Sequence, residues 1–179
     1  MNRLELENII RHHQMWIEYG DNYADGESCM ANSCKRAVLH GKDLSGMDLS
    51  DIDLIGADLR DSNLRGADLR RTNFKVAELQ RVDFRDAKFK DTEFGGAFLE
   101  EANFTGANLS QTNFFGCDLS KAILCDTKLN EAILQQTNMA ETISHPLTET
   151  HRCNCFDIHK FSMDHFSGKT WLSPFHKFL

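Results

Sequence analysis

Residues 57–80 read ADLRDSNLRGADLRRTNFKVAELQ, and the spacing of their large apolar residues decides the fold. Leu59, Leu64, Leu69, Phe74 and Leu79 stand five residues apart. Outward from this stretch the series continues without a miss. It begins with Leu39, Leu44, Leu49 and Leu54, and runs on through Phe84, Phe89, Phe94, Leu99, Phe104, Leu109, Phe114, Leu119, Leu124, Leu129 and Leu134 to Met139. Two residues before each stands a second, mostly small column, including Ala37, Ala57, Ser62, Ala67, Thr72, Ala77, Ala87 and Thr137. An amphipathic helix repeats every ~3.6 residues and a strand every ~2, so neither produces a strict period of five. A short fixed period sustained over this length predicts a solenoid, whose units bury their apolar faces only against neighbours.

Written as pentads (ADLRD, SNLRG, ADLRR, TNFKV, ANFTG, ANLSQ), the stretch resembles the pentapeptide-repeat family, whose consensus is similar to A-(D/N)-L-x-x. The resemblance covers about three-fifths of the chain. It implies an all-β solenoid, a right-handed quadrilateral (four-sided) β-helix with one pentad per side and four per coil. A little over five coils follow, a rod of roughly 25 Å at ~4.8 Å per stacked strand. Every twentieth residue then stacks: Phe74, Phe94 and Phe114 between Leu54 and Leu134, and Phe84 beside Phe104. Such a core is packed solid and leaves no buried active site.

A chain of 179 residues with net charge −7 excludes bulk nucleic-acid binding, which needs a basic excess. Its apolar runs are too short to span a bilayer. MNRLELENIIRHH lacks the uninterrupted apolar core of a secretory signal, so a cytoplasmic, bacterial-type protein is expected. The six cysteines, Cys29, Cys34, Cys117, Cys125, Cys153 and Cys155, are expected reduced. Cys117 falls in the small inward column, whereas Cys125 directly follows an inward Leu and is expected to point outward.

Three segments result. Residues 1–36 form an N-terminal helical cap and a turn-rich linker. Leu6, Ile9, Ile10, His13, Trp16 and Ile17 make one helical stripe, with Gly20 placed to end it. In GDNYADGES, Asp21, Asp25 and Gly26 faintly resemble a calcium loop, but no Glu closes it. Residues 37–142 are the repeat. Residues 143–179 are an aromatic-rich cap or dimerisation segment, carrying Phe156, Phe161, Phe166, Trp171, Phe175 and Phe178, with Ser173 and Pro174 starting a short final helix.

The outward positions carry the functional reading. Phe98, Ile123 and Ile133 stand immediately before an inward residue, where Asp or Asn is usual, and Phe115 and Ile55 immediately after one. They predict an apolar strip on the C-terminal half of the rod, covered by the tail or offered to a partner, a second copy included. Charge is zoned: net −4 over 37–59, +4 over 60–90 and −6 over 91–141. Arg60, Arg65, Arg70 and Lys75 take the same outward place on four successive sides, a basic belt expected to pair locally with Asp61, Asp68, Asp83 and Asp86.

No nucleophile–base set, phosphate loop or cofactor motif is present, so no enzyme and no cofactor are expected. Cys153 and Cys155 with His151 and His159, Cys29 with Cys34, and His12 with His13 lack the usual zinc spacing, so no metal site is expected. The expected function is a protein-interaction or scaffold module with an unknown protein partner, or a homodimer through the C-terminal segment. The alternative, implied by the resemblance, is a DNA-mimicking regulator or protector of a type II DNA topoisomerase (gyrase). One charge per ~4 Å of rod, against one per ~1.7 Å in DNA, makes the likeness poor.

Overall fold

The structure, a computed structural model, describes residues 1–19 and 35–144. Its repeat is a ladder of parallel single-residue bridges, each joining residues twenty apart, from Val38↔Asp58 to Ile123↔Ile143. Successive bridges step by five residues, so each coil has four sides. These are named A to D after the coil centred on Leu59, Leu64, Leu69 and Phe74. No continuous strand forms among the described residues, because a five-residue side spends two residues on the corner. Hydrogen bonding is nonetheless dense. On side A, Leu39 N donates to Asp58 O (2.7 Å), Asp58 N to Ala37 O (2.9 Å), and Gly41 N to Arg60 O (2.8 Å).

Each corner is a turn closed between the inward residue and the third residue after it, as where Ser62 N donates to Leu59 O (3.1 Å). The second corner residue has positive φ at every pentad, as a type II turn requires. Seven of these positions are Gly and fourteen are not, among them Asp51, Arg71 and β-branched Val76 (φ 50°). Glycine is therefore favoured at these corners without being obligatory.

The Asp/Asn preference has an equally local cause. Thirteen pentads have Asp or Asn before the inward residue, and in all thirteen its Oδ1 accepts the backbone N–H two residues on. This Asx bond satisfies a corner N–H that the coil-to-coil ladder leaves free.

All twenty-one central Leu, Phe and Met side chains are buried. Phe94 stacks between Phe74 and Phe114 (centroids 5.3 and 5.1 Å apart), and Phe84 stacks on Phe104 at 4.8 Å. Phe89 contacts Phe84 (5.7 Å), Phe94 (6.1 Å) and Phe104 (5.9 Å), although its own column is Leu49, Leu69, Leu109 and Leu129. Three aromatics therefore occupy one coil, and the wall yields there. Among the described residues, Asp86, Phe89, Asp91, Thr92 and Asn108 lack the backbone bonds their counterparts donate, and the one further gap of this kind on side C is at Ile52 in the first coil. Thr72 and Thr92 donate Oγ1–H to Leu49 O and Leu69 O (both 2.8 Å), but buried Thr112, whose counterpart acceptor is Phe89 O, has no partner among the described residues. A ring in a leucine column opens side C between two coils.

Helix α1 spans Arg3–Tyr19 and is capped by Asn2, whose Oδ1 accepts Glu5 N at 2.8 Å. It packs on the first coil. Leu6 joins the core, Ile9 and Ile10 lie against it, and Trp16 lies over Gly56, where a Cβ would stand 3.7 Å from the indole. His13 is fully buried and stacked on Trp16, and its Nδ1 accepts Ala37 N–H at 3.0 Å. Ile17, placed on the same stripe by spacing, is exposed. Gly20, the 20–28 turn and the tail from His145 onward lie outside the described residues.

Candidate interaction surface

The basic belt is engaged with its own rod. Arg60 pairs with Asp58 (2.6 Å) and Glu78 (3.1 Å), Arg65 with Asp86 (3.0 Å), Arg70 with Asp68 (2.7 Å), and Lys75 with Glu93 (3.6 Å). Arg81 pairs with Asp61 and Arg85 with Asp83, each at 2.6 Å. The four carboxylates Asp61, Asp68, Asp83 and Asp86 thus each hold a cation. Hydrogen bonds from the Arg60 guanidinium hold the part-buried Asp58 carboxyl below its ordinary range, and Arg85 does the same for Asp83. Arg60, Arg65 and Arg70 stand on three different corners, so they form a ring of neutralised pairs and no single anion cradle.

The apolar strip is divided. Ile133 and Phe115 lie on side D in successive coils, and Phe98 lies on side A, across the corner made by Gly95 and Gly96. Val76, which the period alone does not single out, stands under Gly96, where a Cβ would meet its Cγ1 at 3.3 Å. Val76 is 54% exposed, Phe98 45%, Phe115 46% and Ile133 43%. Gly116 continues the corner one coil beyond Gly96, so that side-chain-free backbone lies among those apolar groups. Ile123 is a correction: it bridges Asn103 and Ile143 on side B, half-buried and apart from the others. The readable signal for Val76 was a branched residue at a corner otherwise held by Gly or polar residues.

Phe98 and Ile133 also forgo the Asx bond. Among the described residues, Glu100 N–H and Gln135 N–H have no acceptor, whereas Phe115 N–H is held by Asn113 at 3.0 Å. Each apolar residue here gives up about 1 kcal/mol of local hydrogen bonding. Acidic residues rim the face: Glu100, Glu101, Asp118, Glu131 and Glu141 have no ion-pair partner among the described residues.

Cysteine placement differs from expectation once. Cys117 is buried, as its column requires, donates Sγ–H to Phe94 O at 2.8 Å, and burial pushes its thiol pKa up to about 12. Cys125, expected outside, is also buried, with Sγ 3.8 Å from Ile143 O. The last rung, reaching Ile143, folds over that corner. Among the described residues no group of three or more His, Cys, Asp or Glu is arranged to hold a metal. Cys29, Cys34, His151, Cys153, Cys155 and His159, with the calcium-like Asp21 and Asp25, lie outside them. A groove of about 320 Å³ runs between α1 and the first coil, over Leu6, Ile10, Met47 and Ile52, with Arg3, Glu7 and Asp48 at its edge. No described helix is long and apolar enough to cross a membrane.

The family model for pentapeptide repeats matches in eight copies across residues 37–75, 67–106, 83–120 and 107–143. Among solved structures, the chain is similar to the pentapeptide repeat protein Rfr23 from the cyanobacterium Cyanothece 51142. Identity is 24% over 60% of this chain and 90% of that one, with a TM-score of 0.53. It is similar as well to HetL from Nostoc sp. strain PCC 7120, a protein involved in heterocyst differentiation regulation (27% identity, 58% of this chain, 60% of that one, TM-score 0.41). A third is a thylakoid-lumen pentapeptide repeat protein from Arabidopsis thaliana (30%, 62% and 72%, TM-score 0.40). No curated protein matches the sequence.

Proposed function

Because the chain belongs to the pentapeptide-repeat family, we propose that it is a non-enzymatic interaction module, presenting the outer wall of a right-handed β-helix of a little over five coils to a protein partner. One observation carries the reading. Of the five large apolar residues exposed on the described wall, Val38 stands apart in the first coil, whereas Val76, Phe98, Phe115 and Ile133 gather around the Gly95–Gly96–Gly116 corner, and two of these four displace the residue that would complete a local hydrogen bond. Contiguous exposed apolar residues on a soluble rod mark a contact surface. The acidic rim steers and orients a partner with basic groups around an apolar centre.

Helix α1 caps one end of the core, and the module works in the cytoplasm. The topoisomerase reading draws no support from the belt, whose cations are paired and interrupt a DNA-like run of negative charge. Affinity capture from the source cells tests the proposal, comparing the intact chain with a Phe98→Asn/Phe115→Ser/Ile133→Asn variant. A partner retained by the first and lost by the second is expected. A partner held equally by both would overturn the assignment of this face. Inhibition of gyrase supercoiling, or relief of fluoroquinolone action, would instead favour the alternative.

A further inference from the structure

In three pentads an arginine just past the inward residue lies back on the carboxylate just before it. Arg60 Nε stands 2.9 Å from Asp58 Oδ1, Arg70 Nε 2.8 Å from Asp68 Oδ1, and Arg85 Nε 2.9 Å from Asp83 Oδ1. Side chains at these two places of one pentad are therefore within contact. In the pentad of Leu99 the chemistry is inverted. Phe98 takes the carboxylate's place and Glu100 the cation's, so an exposed ring stands beside a carboxylate that no described cation pairs.

The polar atoms of this corner are short of donors. Glu100 Oε2 is shielded from solvent without a hydrogen-bond partner, and so is Gln80 Oε1. The two residues hold the same place in successive coils, ~4.8 Å apart. The nearest arginines are committed elsewhere, Arg60 to Asp58 and Glu78, and Arg81 to Asp61. Shielded acceptors without a donor are a cost that the rod does not recover by itself. Glu100 N–H is a further open group. Its counterparts, Arg60 N–H and Ser120 N–H among them, are held by Asx side chains of the outer wall, so it faces outward. Glu100 as a whole is half-buried, which leaves it open to a group arriving from solvent.

We propose that Phe98 and Glu100, with Gln80 one coil earlier, receive an arginine side chain of the protein partner. The guanidinium lies over the Phe98 ring and donates to Glu100 and Gln80, which fills the place that Arg60, Arg70 and Arg85 fill in their own pentads. Glu100 N–H donates to a main-chain carbonyl of the same segment, whose apolar residues lie on Phe115 and Ile133. Lysine fits less well, because a compact and strongly hydrated ammonium lacks the planar fork that stacks on a ring and bridges two acceptors. The proposal deepens the reading of this face as a contact surface and rests on it.

A phage-displayed library of short random peptides is selected on the full chain, and the recovered sequences are synthesised and measured by fluorescence polarisation. They are expected to share an arginine beside apolar residues. Replacing that arginine by glutamine, or Glu100→Gln in the protein, should weaken binding about tenfold. The melting temperature of Glu100→Gln should match or exceed that of the parent. Phe98→Leu keeps an apolar surface without a ring and should abolish the preference for arginine over lysine. Peptides that lose binding to the Phe98→Asn/Phe115→Ser/Ile133→Asn variant, yet carry no arginine or bind Glu100→Gln undiminished, overturn the proposal and leave the contact face standing. A selection that recovers no peptide, or only peptides that bind the triple variant equally, overturns both.

Discussion

Replacing Thr72, Thr92 and Thr112 singly by Val separates two partnered hydroxyls from an orphaned one in a single column. Val keeps the branched shape and deletes only the hydroxyl function. At position 92 the loss is a 2.8 Å bond to Leu69 O, a carbonyl that still accepts Thr72 N–H at 3.1 Å, so the cost is about 1 kcal/mol. At position 72 the Leu49 carbonyl has no second donor among the described residues, which raises the cost toward 2 kcal/mol. At position 112 the deleted hydroxyl is buried and unpartnered, and removing it recovers a desolvation cost of about 1 kcal/mol. For a chain of this size, 1 kcal/mol corresponds to roughly 2–4 °C in melting temperature. Thermal melts followed by circular dichroism should therefore show Thr72→Val and Thr92→Val below the parent and Thr112→Val at or above it. If Thr112→Val melts as low as the other two, its hydroxyl has an acceptor and side C is closed, and the account of Phe89 fails with it.

Four further outcomes are expected. Phe89→Leu restores the leucine column, so the amides of Phe89's replacement and Asn108 should exchange more slowly, while the melting temperature falls by less than for Phe94→Leu. Val76→Asn relieves a branched residue at φ 50°, worth about 1 kcal/mol, and should raise the melting temperature. Gly96→Ala, at φ 69° and with Val76 Cγ1 in the way, should lower it by a similar amount or more. Burial, opposed by Asp53 and helped by Arg36, lowers the His13 pKa, so the folded state favours neutral imidazole. Its stabilisation is then present above the unfolded value of ~6.5 and lost as pH falls through that value toward the folded one. The helical signal of α1 should decline over this window in the intact chain but not in His13→Asn, whose Oδ1 can accept Ala37 N–H.

The period of five was enough to read the solenoid, because it states which way each side chain points, and Leu39 through Met139 point inward without exception. It was silent on anything that depends on backbone satisfaction. Fourteen non-glycine corners adopt the same positive φ as the seven glycine corners, so corner geometry is imposed by the coil above and below and leaves little trace in residue type. Phe89 obeys the period and still breaks the ladder, because a pentad count carries no information on ring volume summed around one coil. His13 was placed on the packed stripe of α1 by spacing alone, but its bond to Ala37 joins residues twenty-four apart and has no local signature. Cys125 was misread for the reverse reason: its outward place is real, and the final rung covers it.

Several of these departures meet at one corner. Phe89 and Thr112 loosen the approach to side D, Val76 strains the D–A corner, Phe115 and Ile133 lie on the outer surface of side D, and Phe98 faces them across that corner on side A. In the pentads of Asp58, Asp68 and Asp83 the three levels agree: inward residue, Asx bond and paired surface charge occur together. Pentads without the Asx residue occur on every side (Val38, Glu78 and Phe98 on A, Ile123 on B, Lys88 and Lys128 on C, Glu93 and Ile133 on D), but the D–A corner adds strained Val76 and exposed Phe115 to two of them, a concentration expected where function tolerates a stability cost. Restoring the missing Asx residues there discriminates between the two explanations. If Phe98→Asn and Ile133→Asn raise the melting temperature while weakening partner capture, the apolar residues are retained for contact. If they lower it with capture unchanged, the face is a structural seam of the rod, and the interacting surface must be sought on another side.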